Sequence, residues 1–212
     1  MPATPQLSPE SRVSRDMEAI ASLERDAQLM LRVRAGDETS FAILLDRHRA
    51  PVVHFLYRMV QNQAVSEELA QEAFLRVYRS RASYQPTAKF TTWLFRIATH
   101  LALNWIRDRR KEKNQQSLDV AFDDGEGSIT ERQVADASPT VEQQMCSQVR
   151  AREIRAAIQD LPDKQRTAVV LHKYEGLGYT QISKVLECSE SATKSLLFRA
   201  YETLRVRLAH MA

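Results

Sequence analysis

Glycine, cysteine and long apolar runs are all scarce in this 212-residue chain, and each scarcity removes a class of protein. Five glycines in the whole sequence argue against a loop-rich all-β fold, so the expectation is mostly helix. The two cysteines, Cys146 and Cys188, have no metal-ligand spacing and no partner histidines nearby. That pattern speaks against a zinc site or disulfide framework and for a reducing cytoplasm. No run of about 18 apolar residues occurs, and the opening MPATPQLSPESRVSRD lacks the apolar core of a secretory signal. A soluble protein is expected, with any membrane link made through a partner. HExxH, a Gly-rich phosphate loop, clustered carboxylates and a Ser/His/Asp arrangement are all missing. Asp123 and Asp124 fall in a segment too loose to hold a metal precisely. The chain is therefore read as a non-enzyme, with no catalytic residue, no metal and no cofactor.

What the chain does contain is segregated charge. Net charge is only +3, yet Asp119 to Glu142 is acidic while Arg107 to Lys113 and Lys194 to Arg207 are basic, which favours polyanion contact at selected surfaces. The composition shifts suggest four parts: a Pro- and Ser-rich tail over 1–22, a helical domain over 23–113, a flexible acidic linker over 114–140 and a second helical domain over 141–212. The fold class expected is all-α.

The stretch KFTTWLFRIATHLALNWIRDRRKEK, residues 89–113, predicts one long amphipathic helix. Phe90, Leu94, Ile97, Leu101 and Trp105 share an apolar side. A second stripe collects Trp93, Arg96, His100, Asn104, Arg107 and Lys111. An aromatic ring among guanidinium, imidazole and amide groups can stack on bases and neutralise phosphates; the alternative is a solvated basic face carrying an amphipathic Trp. The preceding SYQPTAKFT breaks helical periodicity at Pro86 and predicts a loop that walls a pocket beside Trp93.

Upstream, Gly36 is expected to stop a first helix and Thr39 or Ser40 to cap a second, in which Pro51 predicts a kink or local break. Ser66 and the carboxylates after it look like the start of a third, ELAQEAFLRVYRS. Its Glu68, Gln71, Glu72 and Leu75 point away from the core face made by Leu69, Ala73 and Val77, with Phe74 offset. Such a face is either solvated or a dock for a basic partner helix.

Near the C-terminus, helices are expected over Val141 to Gln159 and from Asp163 until Gly176 ends the next. Tyr179 to Leu186, a turn at Glu187, Cys188 and Ser189, and a helix from Glu190 to Leu208 then read as a helix-turn-helix, with Ser189 as N-cap. Thr193, Leu197, Ala200, Leu204 and Leu208 should face the core. Ser191, Lys194, Ser195, Phe198 and Arg199 should face out, where they can reach base edges or phosphates.

ELAQEAFLRVYRS, FTTWLFRIATHLALNWIRDRR and LPDKQRTAVVLHKYEGLGYTQISKVLECSESATKSLLFRA, in this order and with this gap, resemble the extracytoplasmic-function RNA polymerase sigma factors that keep only regions 2 and 4. The resemblance runs from about Arg25 to Leu208. It implies polymerase binding through Glu68, Leu69, Gln71, Glu72 and Phe74. It implies capture of minus-ten single strand by Tyr84, Lys89, Phe90, Trp93, Arg96, His100, Asn104 and Arg107, with a base extruded into the loop pocket. The minus-35 duplex would be read by Ser191, Lys194, Ser195, Phe198 and Arg199. Core RNA polymerase, promoter DNA and an anti-sigma factor are the implied partners, with the linker threading the polymerase. Some members of the family carry Asn where His100 stands, many carry Arg where Leu196 stands, and Lys194 replaces a frequent Arg, which bears on promoter sequence and not on function. The rival reading is a stand-alone helix-turn-helix regulator, but the N-terminal half offers neither a sensor pattern nor sustained heptads.

Overall fold

The computed structural model describes residues 25–116 and 141–211, with side chains described over 25–113 and 149–211. The expected tail over 1–22 and the body of the expected linker lie outside the described residues, whereas residues 114–116 continue a helix. Among the described residues there are helices and no strand. Helix α1 covers residues 25–34, α2 Glu38–Val60, α3 Gln63–Arg79, α4 Phe90–Gln116, α5 Val141–Gln159, α6 Asp163–Lys173, α7 Tyr179–Leu186 and α8 Glu190–Arg207. Single 3-10 turns follow α3 and α8.

Local chemistry sets these boundaries. Gly36, at φ 101°, occupies the backbone region that disfavours a Cβ and ends α1 as expected. The caps of α2 and α3 fall earlier than the sequence suggested. Asp37, not Thr39 or Ser40, caps α2: its carboxylate accepts from the Ser40 N–H at 3.2 Å and from the Ser40 hydroxyl at 2.7 Å. Those two bonds hold the Asp37 carboxyl below its ordinary pKa. Asn62, not Ser66, caps α3 by accepting from the Val65 N–H at 3.0 Å. Ser66 sits buried inside the first turn and donates back to the Asn62 carbonyl. Helix α2 runs through Pro51 without the break its ring suggested. The ring lies on an exposed face, so the missing N–H donor falls on the solvent side.

Helices α1 to α4 wrap around Met30, Leu44, Phe55, Leu56, Phe90 and Leu94, all fully buried. Phe55 and Phe95 meet edge to face at 5.3 Å between centroids. The apolar side of α4 is rotated from the expected one: Phe95, Ala98, Ala102 and Ile106 are buried with Phe90, Leu94 and Leu101, while Ile97 and Trp105 are only partly covered. Asp26 is a buried carboxylate with two partners, the His48 imidazole at 2.8 Å and the Arg47 guanidinium, so His48 is a core-edge histidine. Helices α5 to α8 pack around Leu171, Ile182, Val185, Leu197 and Ala200. Leu204 and Leu208 are only half-buried.

The two units touch. Helix α7 packs on α4 and α6 packs on α2. Arg166, on α6, is buried and donates to the carbonyls of Met59, Gln159 and Leu161 at 3.2, 2.6 and 3.2 Å. Arg110, on α4, forms a bidentate pair with Asp163 at 2.7 and 2.8 Å.

Candidate nucleic-acid interface

The first candidate surface is the start of α4 and the loop before it. Arg76, Arg79, Tyr84, Gln85, Thr87, Trp93, Arg96 and Ile97 line an open cleft of about 1010 Å³, and Lys184 reaches it from α7. Trp93 is partly buried and partly open to solvent. Tyr84 backs it at 5.1 Å between ring centroids and Phe90 at 6.1 Å. Rings fixed in this way make a stacking platform with little freedom left to lose on binding. Arg96, His100, Asn104 and Arg107 are exposed along one side of α4, and Lys89 is exposed just before it. Asn104 accepts from Arg107 at 3.2 Å, which orients both toward solvent.

Two residues of the expected set have a different position. Phe90 is 0% exposed and packs on His48, so it supports the platform from inside and offers no surface to DNA. Tyr84 is 4% exposed, and burial raises the pKa of its phenol. Its ring is part of the wall, held also by Arg34, which donates to the Tyr84 carbonyl at 3.1 Å.

The second surface is α3. Glu68 and Gln71 are exposed, and Leu69 and Glu72 are partly so. Phe74 is 4% exposed and belongs to the core, because the offset noted in the sequence turns it toward the other three helices. The apolar residue that protrudes beside the carboxylates is Leu75, at 48% exposure. Glu72 pairs with Arg76 one turn on, at 2.7 Å.

The third surface is the helix-turn-helix, whose limits match expectation. Ser189 caps α8 by accepting from the Ala192 N–H at 3.1 Å. Glu187 ends α7 at φ 52°, and Cys188 lies against the Thr193 hydroxyl at 3.3 Å in the turn. Ser191, Lys194, Ser195 and Arg199 are exposed, and Phe198 is 69% exposed. Lys194 is steered from two sides, by Glu190 at 3.2 Å and by the Tyr179 ring at 5.9 Å. Thr180 donates to Glu190 at 2.9 Å, and that bond, with Lys194, keeps the Glu190 carboxyl below its ordinary pKa. Leu196, where the family often has Arg, is half-buried against the core. Sequence reading missed Tyr179, Glu190 and the stacked His172 beneath Tyr179. Tyr179 and Glu190 were legible as neighbours at the two helix starts, whereas His172 comes from a third helix.

The chain matches the model for sigma-70 region 2 over residues 44–112 and that for sigma-70 region 4 over residues 151–204. Among curated relatives, the ECF RNA polymerase sigma factor SigW of Bacillus subtilis is 34% identical over 83% of this chain and 92% of the relative. The ECF RNA polymerase sigma-E factor of Haemophilus influenzae is 31% identical over 86% of this chain and 95% of the relative. This chain is an ECF RNA polymerase sigma factor. Its fold also resembles solved structures at low identity. CnrH, solved with the cytosolic domain of CnrY, superposes with a TM-score of 0.65 at 16% identity, covering 89% of this chain and 99% of that one. RpoE of Bartonella quintana, solved with the anti-sigma factor NepR, gives 0.62 at 20% identity, covering 80% of this sigma factor and 96% of RpoE. The two matched regions coincide with the two helical units. Among the described residues of this sigma factor no helix is long and apolar enough to cross a membrane.

Proposed function

We propose that this sigma factor performs no catalysis of its own: it binds core RNA polymerase in the cytoplasm, carries it to specific promoters and stabilises the opened minus-ten strand. The observation that carries this reading is the pair of unlike DNA-facing surfaces. One is an aromatic platform among cations on α4, suited to unstacked bases. The other is an exposed helix with Lys194, Ser195, Phe198 and Arg199, suited to the major groove.

The roles divide by unit. The unit over 23–113 takes polymerase through Glu68, Leu69, Gln71 and Glu72, with Leu75 supplying the apolar contact in place of Phe74. It takes the minus-ten strand through Lys89, Trp93, Arg96, His100, Asn104 and Arg107. The unit over 141–212 reads the minus-35 element. Opening DNA costs about 1.4 kcal/mol per base-pair step in lost stacking, and platforms that bind unpaired bases offset that cost without any chemical step. Solved relatives in complex with the cytosolic domain of CnrY and with NepR support an anti-sigma factor as a further partner.

In-vitro transcription from candidate promoters, with and without purified core polymerase, tests the proposal. Core-dependent, promoter-specific transcripts are expected. Sequence-specific duplex binding by the free protein, with no core-dependent transcript, would favour a stand-alone regulator instead.

A further inference from the structure

Beside the cations and hydroxyls assigned to DNA, the start of α8 carries a carboxylate. Glu190 lies in the first turn, on one stripe with Lys194 and Phe198 at four-residue spacing, and all three are exposed. Phosphate repels an acidic side chain, so Glu190 cannot serve this face by general attraction to a polyanion. What it can offer is a hydrogen-bond acceptor held in a fixed place.

The fixing is visible. From the start of α7 the Thr180 hydroxyl donates to Glu190 Oε2 at 2.9 Å, and Lys194 Nζ lies 3.2 Å from Oε1. Lys194 also stands over the Tyr179 ring, 5.9 Å from its centroid. Tyr179 is stacked on His172 at 5.4 Å, with the ring planes 15° apart, and His172 Nδ1 is hydrogen-bonded to the Tyr201 hydroxyl at 2.8 Å. These contacts run from α6 through α7 to α8. Carboxylate and ammonium are thereby aimed before DNA arrives, which leaves less side-chain freedom to lose on binding.

Base edges sort themselves against such a couple. In the major groove guanine shows the acceptors O6 and N7, which suit Lys194. A carboxylate accepts only, so it is met by the N4 amino group of cytosine and repelled by O4 of thymine and O6 of guanine. Adenine sets its N7 acceptor beside its N6 donor, against the second carboxylate oxygen.

We propose that Glu190 is a specificity-determining residue of the minus-35 reading: its carboxylate accepts from the N4 amino group of a cytosine adjoining the guanine taken by Lys194, and it turns other bases away. Thr180, Tyr179 and His172 are positioning residues for this couple. The proposal rests on the assignment of the exposed face of α8 to the minus-35 duplex.

The test uses holoenzyme assembled from the full chain and core polymerase, which selects from promoter duplexes randomised over the minus-35 element; the bound sequences are then counted. Wild type should favour cytosine over thymine about tenfold at one position, next to a preference for guanine. E190A should erase the cytosine preference by admitting thymine sequences, with the guanine preference kept, a change of base choice that a damaged fold would not produce. E190Q, whose amide suits adenine N6 and N7, should turn the preference toward adenine. K194A should lose the guanine and keep the cytosine. A wild type without the cytosine preference, or an E190A that retains it, overturns the proposal. So does an E190A altered only at the guanine, since Glu190 would then act by steering Lys194 alone. Base choice unchanged in E190A, K194A and R199A alike removes the assignment of α8 itself, whereas a change in K194A and R199A with none in E190A removes only the role of Glu190.

Discussion

The two DNA-facing surfaces of this sigma factor are built on opposite principles. On α8 the side chains assigned to reading stand on one fully exposed face, with a turn of core residues, Thr193, Leu197 and Ala200, behind them. On α4 the reading surface is half core: Trp93 leans on Tyr84 and Phe90, both buried. A duplex presents its groove edges ready-made, so a rigid exposed helix is enough. An unpaired strand must lose its stacking before it can be read, so the protein needs an apolar platform that replaces the stack. The price of that platform is a surface that its own chain can cover.

Removing what both units share should have the largest effect. R166A would orphan the buried carbonyls of Met59, Gln159 and Leu161 and should destabilise the protein by about 3 kcal/mol, read as a lowered urea midpoint. If R166A unfolds as wild type does, the seam carries no structural weight. Next in size is W93A, which should lower open-complex formation by up to about a hundredfold while binding to core polymerase is kept, since a base stack is worth about 1 to 3 kcal/mol. Equal loss of both would mean that Trp93 serves the core and not the strand. K194A and R199A should each weaken minus-35 duplex binding by about tenfold, in electrophoretic mobility shifts, with minus-ten opening on pre-melted templates unchanged. Loss on pre-melted templates would erase the division of labour between the helices.

The smallest expected effect is on pH. Burial lifts the Glu175 carboxyl to about 7, and Arg58, 4.0 Å away across the seam, only partly offsets it. A carboxyl whose pKa is raised in the folded protein binds protons there more readily than in the unfolded chain. The fold therefore gains stability as pH falls from about 7 toward 4.5 and loses it as pH rises through about 7. Urea midpoints should fall modestly between about pH 6 and pH 8, and E175Q should flatten that slope. A wild-type profile without slope would mean that Glu175 titrates alike in the folded and unfolded chain.

How legible each part was follows the range of its interactions. The turn of the helix-turn-helix and the first half of α8 were read closely because their signals are local: the Ser189 cap and the apolar spacing of Thr193, Leu197 and Ala200 sit within one or two turns of what they specify, while farther along Leu204 and Leu208 are less buried than expected. The existence of α4 was equally plain, but its rotation was not. Phe95 and Ile106 went unnoticed as core because periodicity fixes a stripe only to within a residue or so, whereas Phe90 and Phe74 were taken for contact residues on the resemblance, although the apolar spacing had set them with the core faces. The early caps at Asp37 and Asn62 were missed where another capping residue stood about one turn further on, Ser40 and Ser66, and only geometry could choose. The seam was illegible: Arg110 and Asp163 are 53 positions apart, Arg166 and Met59 107, and no periodicity connects them.

Helix α4 also has a mechanical side. It is 27 residues long, and Phe90, sunk in the core at one end, is on the order of 30 Å along the axis from Arg110 near the other, at 1.5 Å per residue. The core grips the rod from Phe90 as far as Ile106, so Arg110 stands only about 6 Å along the axis beyond the last buried residue. That end cannot swing without disturbing the core beneath it. Arg110 is thus a rigid post, and the 2.7 Å bond it makes to Asp163 ties the second unit to a fixed point and not to a loose arm.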